Sequence, residues 1–178
     1  SVALLNYRLV IGATGEASDG TDEENNSVAW SGAVYIFELS NGNWTQQAYL
    51  KAENAGVDDF FGEAVAISED EVIVGAFGES SDGSTPEDDS AYIAGAVYVF
   101  QRSASGWVQG DYLKATIAEE DDCFGLPVAI SDHTLVVGAY GEDSDGSDPE
   151  DNSTPEAGAV YVFSKDVSST IFLPLILR

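Results

Sequence analysis

VIVGA at residues 72–76 and GAVYVF at residues 95–100 decide the fold, because both return at a fixed interval. LVIGA (9–13) and GAVYIF (32–37) precede them by 63 residues, and LVVGA (135–139) and GAVYVF (158–163) follow at the same spacing. The copies align without a gap. Trp44 maps onto Trp107, Leu50 onto Leu113, and Phe61-Gly62 onto Phe124-Gly125. A fixed period of this size marks stacked or radially arranged units of supersecondary structure. It also argues against catalysis. Chemistry usually needs different residues converging on one point, and most residues here occur two or three times.

Each unit reads as four short strands. The first is VAIS (65–68, 128–131), with Val2 to Leu5 in the same register. A two-residue polar turn leads to the VIVGA strand, and an 18-residue acidic loop leads on to GAVYVF. A short Ser/Gly/Asn turn then precedes a fourth strand, WVQGDYLKA at 107–115. Runs of Val, Ile, Tyr and Phe bounded by Gly, Ser, Asn and Asp are strand signals. No stretch carries helical spacing, so the expectation is all-β with essentially no helix. VIVGA and GAVYVF are continuously apolar, as inner strands packed on both faces should be. The fourth strand mixes polar and aromatic residues, as an outer strand should. Gly75 and Gly95 fall where neighbouring backbones are expected to approach closely. Four antiparallel strands repeated radially describe a β-propeller blade. A β-solenoid is the alternative, though its repeats are usually shorter.

The bulk numbers bound the partners. Apolar residues make up 44% of the 178, enough for a core. The formal net charge of −26 excludes nucleic acid, whose phosphates need a basic face, and disfavours anionic lipid. Cys123 is the only cysteine, so no disulfide forms within the chain. Its expected role is that of a small buried apolar residue. No run of 18 apolar residues is present, which predicts no membrane span. Neither a signal peptide nor a methionine occurs, which suggests a processed form or a piece of a longer protein.

Phe-Gly, then VAIS, then VVGA, then GAVYVF resembles the FG-GAP repeat, the blade unit of integrin-type β-propellers. Bacterial and archaeal surface proteins with tandem copies are the closer likeness. The resemblance covers essentially the whole chain and implies three four-stranded antiparallel blades of 63-residue period, too few to close a ring in one chain. The blades would occupy residues 1–52, 53–115 and 116–178, the last two each led by an FG loop. One departure matters. In integrin-type blades the calcium loop joins the first and second strands, and here that connection is only Asn6-Tyr7, Glu69-Asp70 or Asp132-His133. The resemblance therefore transfers no calcium site.

Any metal site must come from the acidic loops at 14–31, 77–94 and 140–157, which hold 17 of the chain's 32 acids. A Gly-Glu pair, a Ser-Asp-Gly triplet, a later glutamate and a serine recur in all three. Calcium takes six to eight hard oxygen ligands, and Asp-Gly provides a turn on which oxygens can converge. The functional reading is one calcium per loop. Its candidate ligands are Glu16, Asp19 and Glu24 in the first loop, Glu79, Asp82, Glu87 and Asp88 in the second, and Glu142, Asp145, Glu150 and Asp151 in the third. The bland reading is a solvated acidic face. A second acidic pair precedes each Phe-Gly, and its second members, Asp59 and Asp122, are expected to cap the tight lead-in to the next unit.

Other chemistry is thin. His133 is the only histidine and lies in a turn, with Asn6 and Asp70 at its repeat positions. No Cys/His cluster, phosphate loop or paired nucleophile is present. Acid pairs leave a glycosidase formally open, but three equivalent loops fit a repeated binding role better. Trp44 and Trp107 are expected to pack within blades, and Trp30 is unique to its loop.

Where the earlier units have WTQQAYLKA and WVQGDYLKA, the third has TIFLPLILR. An apolar stretch at 171–177 either packs on its own blade or docks on a neighbour by strand addition. The combined expectation is a non-enzymatic extracellular structural or adhesive protein. It would form a homo-oligomer or filament through its terminal blades and residues 171–177, with calcium stiffening the loops. The alternatives are a ligand-binding module, integrin- or lectin-like, that meets a surface protein or glycan, and an accessory domain of a secreted hydrolase.

Overall fold

The computed structural model describes residues 1–145, 152–164 and, as backbone, 173–177. These form twelve strands and, among the described residues, no helix. The strands make three four-stranded antiparallel sheets, each in simple sequence order. The first holds β1 (Val2–Leu5), β2 (Arg8–Ala13), β3 (Ala33–Ser40) and β4 (Asn43–Leu50). The second holds β5 (Ala64–Ile67), β6 (Glu71–Ala76), β7 (Ala96–Ser103) and β8 (Gly106–Leu113). The third holds β9 (Phe124–Ser131), β10 (Thr134–Ala139), β11 (Ala159–Ser164) and β12 (Leu173–Leu177).

Equal sequence gives equal register: Val10 lies opposite Ile36, Ile73 opposite Val99, and Val136 opposite Val162. Asn41 and Gly42 both take positive φ, 51° and 80°, so this Asn-Gly pair closes the β3–β4 hairpin with the twist its strands require. β6 is buried along its whole length, Glu71 included, and so are the first five residues of β7. β4 is exposed over its first five residues. Strand β12 pairs with β11 in its own sheet, Leu175 opposite Val162 and Leu177 opposite Val160. Residues 171 and 172 of the expected apolar tail lie outside the described residues.

Alternation sends the two faces of each sheet to different neighbours. One core cluster joins Val10, Val34 and Ile36 of the first sheet to Val72, Val74 and Tyr98 of the second. A second joins Ile73, Val97 and Val99 to Leu135, Val137 and Tyr161 of the third. Between the sheets sits the Phe-Gly segment. Phe61 is fully buried, with its ring edge-on to Tyr98 and Phe100 at 5.3 and 6.0 Å. Phe124 repeats this against Tyr161 and Phe163 at 5.2 and 6.1 Å. The plug explains the invariant glycines of the sheet in front of it. A Cβ on Gly12 would collide with Gly62 O, and one on Gly32 with Phe61 O. Gly75 and Gly95 face Gly125 O and Phe124 O in the same way, as the sequence anticipates.

The first seam has an addition at its other end. Arg8 and Arg102 both reach Glu38 Oε1, at 3.3 and 3.4 Å, and the Arg8 guanidinium lies 5.3 Å from the Trp107 ring centre. Trp107 therefore packs between sheets, whereas Trp44 is 44% exposed. The two occupy the same repeat position, and Trp107 lies against the sheet before it.

Candidate functional site

The acidic loops join the second and third strands of each sheet, and their buried ends are built the same way in the first two units. In the first, the Glu16 carboxylate accepts the Ser18 N–H at 2.8 Å and the Lys51 ammonium at 2.6 Å. Lys51 also donates to Ser31 Oγ at 2.7 Å, and Ser18 Oγ hydrogen-bonds the Tyr49 hydroxyl. In the second, Lys114 meets Glu79 at 2.8 Å, Ser81 Oγ donates to Glu79 at 3.3 Å, and Ser81 Oγ lies 2.6 Å from the Tyr112 hydroxyl. Ser18 and Ser81 are fully buried, and Glu79 is 2% exposed.

Each invariant position thus has a physical cause. In the second and third units the Gly of Gly-Glu is required because the chain leading into that same sheet crosses it: a Cβ on Gly78 or Gly141 would collide with Asp58 O or Asp121 O, whereas Gly15 meets only the Trp30 ring. The Glu receives the lysine, and the Ser receives the tyrosine. The Asp closes an Asx turn, Asp19 Oδ1 accepting the Thr21 N–H at 3.0 Å and Asp82 Oδ1 the Ser84 N–H at 2.7 Å. The glycine after it takes φ +85° or +87° and lies over the lysine stem.

Electrostatics follow from burial. Desolvation works against the Glu16 carboxylate, but the Lys51 ammonium and the Ser18 N–H together hold its pKa below the usual value. Burial lowers the pKa of Lys51 and Lys114 despite their glutamate partners, and raises that of Tyr49 to about 12. Asp19 is lowered by its Thr21 hydrogen bonds, and Asp88 by Ser90.

The lead-in aspartates act as caps. Asp59 Oδ2 accepts the Gly56 N–H at 2.6 Å, and Asp122 Oδ2 the Glu119 N–H at 2.9 Å. Both are buried, and desolvation pushes both pKa values up to about 6.

The predicted calcium ligands are not brought together. Glu16 and Glu79 point at lysines. Asp19, Asp82 and Asp145 are exposed, as are Glu24 and Glu87. Asp88 accepts the Asp82 N–H at 3.2 Å and the Ser90 N–H at 3.2 Å. Glu142 is buried, and Glu150 and Asp151 lie outside the described residues. Among the described residues no three His, Cys, Asp or Glu side chains converge on a cation position. In the first two loops an ammonium group, compact and held by fixed oxygens, stands among the acids instead. In those two loops the described acids do not gather around a cation. Sequence reasoning missed Lys51 and Lys114, although the signal was present: YLKA recurs at 49–52 and 112–115, and the chain has only six Lys and Arg.

At the loop rim Trp30 is 52% exposed, its ring 5.9 Å from Phe60, which stacks on Phe77 at 5.0 Å. His133 lies in the β9–β10 turn, exposed.

The model of one protein family, described as the FG-GAP repeat, matches residues 44–100 and 107–163. Each match runs from the fourth strand of one sheet, across the Phe-Gly plug, through the first three strands of the next. No curated protein matches the chain.

Proposed function

The chain belongs to the FG-GAP repeat family, and on that footing we propose that it is a non-enzymatic extracellular structural or adhesive component. Its three sheets serve as blades of a β-propeller, and it self-associates. The observation that carries this reading is how the repeated polar residues are used. Glu16, Ser18, Tyr49 and Lys51, with their counterparts Glu79, Ser81, Tyr112 and Lys114, hydrogen-bond one another inside each sheet's end. They hold a scaffold and present no group to a substrate. No helix of the described chain is long and apolar enough to cross a membrane. The reading needs no calcium, since lysine supplies the positive charge in the first two loops. Light scattering over a concentration series tests it: mass rising above one chain supports it, and a single-chain mass throughout removes the self-association.

A second reading, a ligand-binding propeller module of a larger surface protein, is favoured by the Trp30–Phe60–Phe77 rim, whose flat faces suit sugar or peptide contacts. Saturable quenching of Trp30 fluorescence by a glycan or peptide, lost in Trp30→Ala, would select it.

A further inference from the structure

In a chain of repeats, positions that break the repeat and still come together in space mark what repetition does not explain. Trp30, Phe60 and Phe77 do both. Trp30 lies 5.9 Å from Phe60, and Phe60 stacks on Phe77 at 5.0 Å, so the three rings form a ledge across the loop end of the seam between the first and second sheets. The next seam has Ile93, Cys123 and Tyr140 at these positions. The pedestal is repeated and the rings are not. Trp30, Ile93 and Glu156 share φ values of 55°, 56° and 55°. The Phe60 N–H donates to Trp30 O just as the Cys123 N–H donates to Ile93 O, both at 3.0 Å. This backbone presents whatever side chain stands on it, and only the first loop puts an indole there. The indole lies over Gly15 with one face, and Trp30 is 52% exposed. Both sheets of this seam are described. In the middle sheet, which has a neighbour on either side, the same rim is still open: Tyr92, beside Ile93, is 59% exposed.

We infer that the ledge binds an uncharged oligosaccharide, one sugar ring laying its C–H face on Trp30 while nearby carboxylates accept its hydroxyls. This rests on the reading of the chain as a ligand-binding module and names the ligand class of that site. The backbone around the ledge favours a sugar over a peptide, because it is already paired. Ala29 O accepts the Asp58 N–H and Trp30 O the Phe60 N–H, each at 3.0 Å. Ser31 O accepts the Phe61 N–H at 3.1 Å, and Phe60 O the Glu63 N–H at 3.0 Å. An extended peptide binds largely through main-chain hydrogen bonds and finds few partners here. A sugar needs only a flat apolar face and side-chain acceptors. Those acceptors are at hand: Asp58 and Glu63, on either side of Phe60-Phe61 in the chain, are exposed, and so are Asp22, Glu23 and Glu24 of the adjoining loop. Ionised carboxylates accept hydrogen bonds and donate none, which suits a ligand rich in hydroxyl donors. The same carboxylates, in a chain of charge −26, repel uronate, sulfate and sialic acid groups, so charge selects a neutral glycan.

The test is isothermal titration calorimetry on the whole chain. Cellohexaose, mannohexaose and N-acetylchitohexaose are the neutral probes, hexagalacturonate the acidic one, and oligolysine and oligoproline the peptides. At least one neutral sugar is expected to bind saturably, and hexagalacturonate is not. Trp30→Ala should weaken the sugar by about tenfold or more. Trp30→Tyr, which keeps a flat ring, should hold it within a few-fold, and Trp44→Ala, at the other exposed indole, should leave it unchanged. Circular dichroism checks that the sheets persist in each variant. Sugar binding that survives Trp30→Ala, or hexagalacturonate that binds as well as the neutral sugars, overturns this inference. A peptide probe that binds and is lost in Trp30→Ala, with no neutral sugar bound, overturns the glycan and leaves the binding-module reading standing. No binding by any probe overturns both.

Discussion

The seam between sheets and the loop end of the first two sheets are built on opposite principles. In the seam, a buried phenylalanine packs against aromatic rings, and its backbone lies on glycines of the preceding sheet, Phe61 N–H donating to Ser31 O at 3.1 Å. At the loop end, a lysine just past the fourth strand reaches a glutamate 35 residues away and is closed off from water. The first arrangement draws its stability from area removed from water. The second must recover a desolvation cost before it contributes anything. Both recur at repeat positions, so the fold uses the plug to join sheets and the ion pair to fix the first and second loops on their own sheets.

The comparison is broken most sharply at the plug. Phe61→Ala removes a fully buried ring from a site that glycine backbone cannot collapse to fill, and should cost about 4 kcal/mol in denaturant unfolding. A loss under about 1 kcal/mol would mean that the seam does not depend on the plug. Lys114→Met leaves Glu79 buried beside an apolar chain and should cost about 3 kcal/mol. Adding Glu79→Gln to that variant should restore most of the loss, because the uncompensated charge is gone. A double variant no better than the single would show that the lysine acts through packing alone.

Acidity sharpens the contrast further. Asp59 and Asp122 have folded pKa values of about 6, above the ordinary 3.8, so the folded chain holds protons that the unfolded chain has released. Their contribution favours folding at low pH and is lost as pH rises from about 4 through about 6, by roughly 2 to 3 kcal/mol apiece. The lowered pKa of Glu16 works the other way, and its contribution is lost only as pH falls through the carboxylate range. Melting temperature should therefore be higher at pH 5 than at pH 7. Asp59→Asn and Asp122→Asn, whose amide oxygens can still accept the capped N–H, should flatten that difference. The smallest effect expected is that of calcium. With Glu16 and Glu79 committed to lysines, chelation should leave the melting temperature unchanged, and a fall of several degrees would show that the exposed acids gather around an ion after all.

The strands around the plug and the close approach at Gly75 and Gly95 were legible because they are written in local motifs, whereas the burial of Phe61 between sheets was not. Phe-Gly, VIVGA and GAVYVF declare strands, glycines and spacing, and the interval between copies supplies the sheets. The loop end was not legible for a physical reason. Counting carboxylates at 14–31 shows a charge problem, but part of its solution lies in Lys51, just past β4 and 35 residues from Glu16. Local reading therefore proposed an external cation without seeing that Glu16 and Glu79 already hold lysines. Trp44 and Trp107 show the complementary limit. Their shared repeat position predicts shared packing, yet burial depends on whether a sheet precedes them, which repetition cannot say.

Lys51 and Lys114 tie the outermost strand of a sheet to the loop between its second and third strands, and the chain then passes directly into the next plug. Under tension along the chain, such a cross-tie acts as a latch: the outer strand cannot peel until the buried ion pair is pulled apart. Pulled on its outer strand, each of the first two sheets should therefore hold until its ion pair breaks, and Lys114→Met should lower the force at which the second sheet yields.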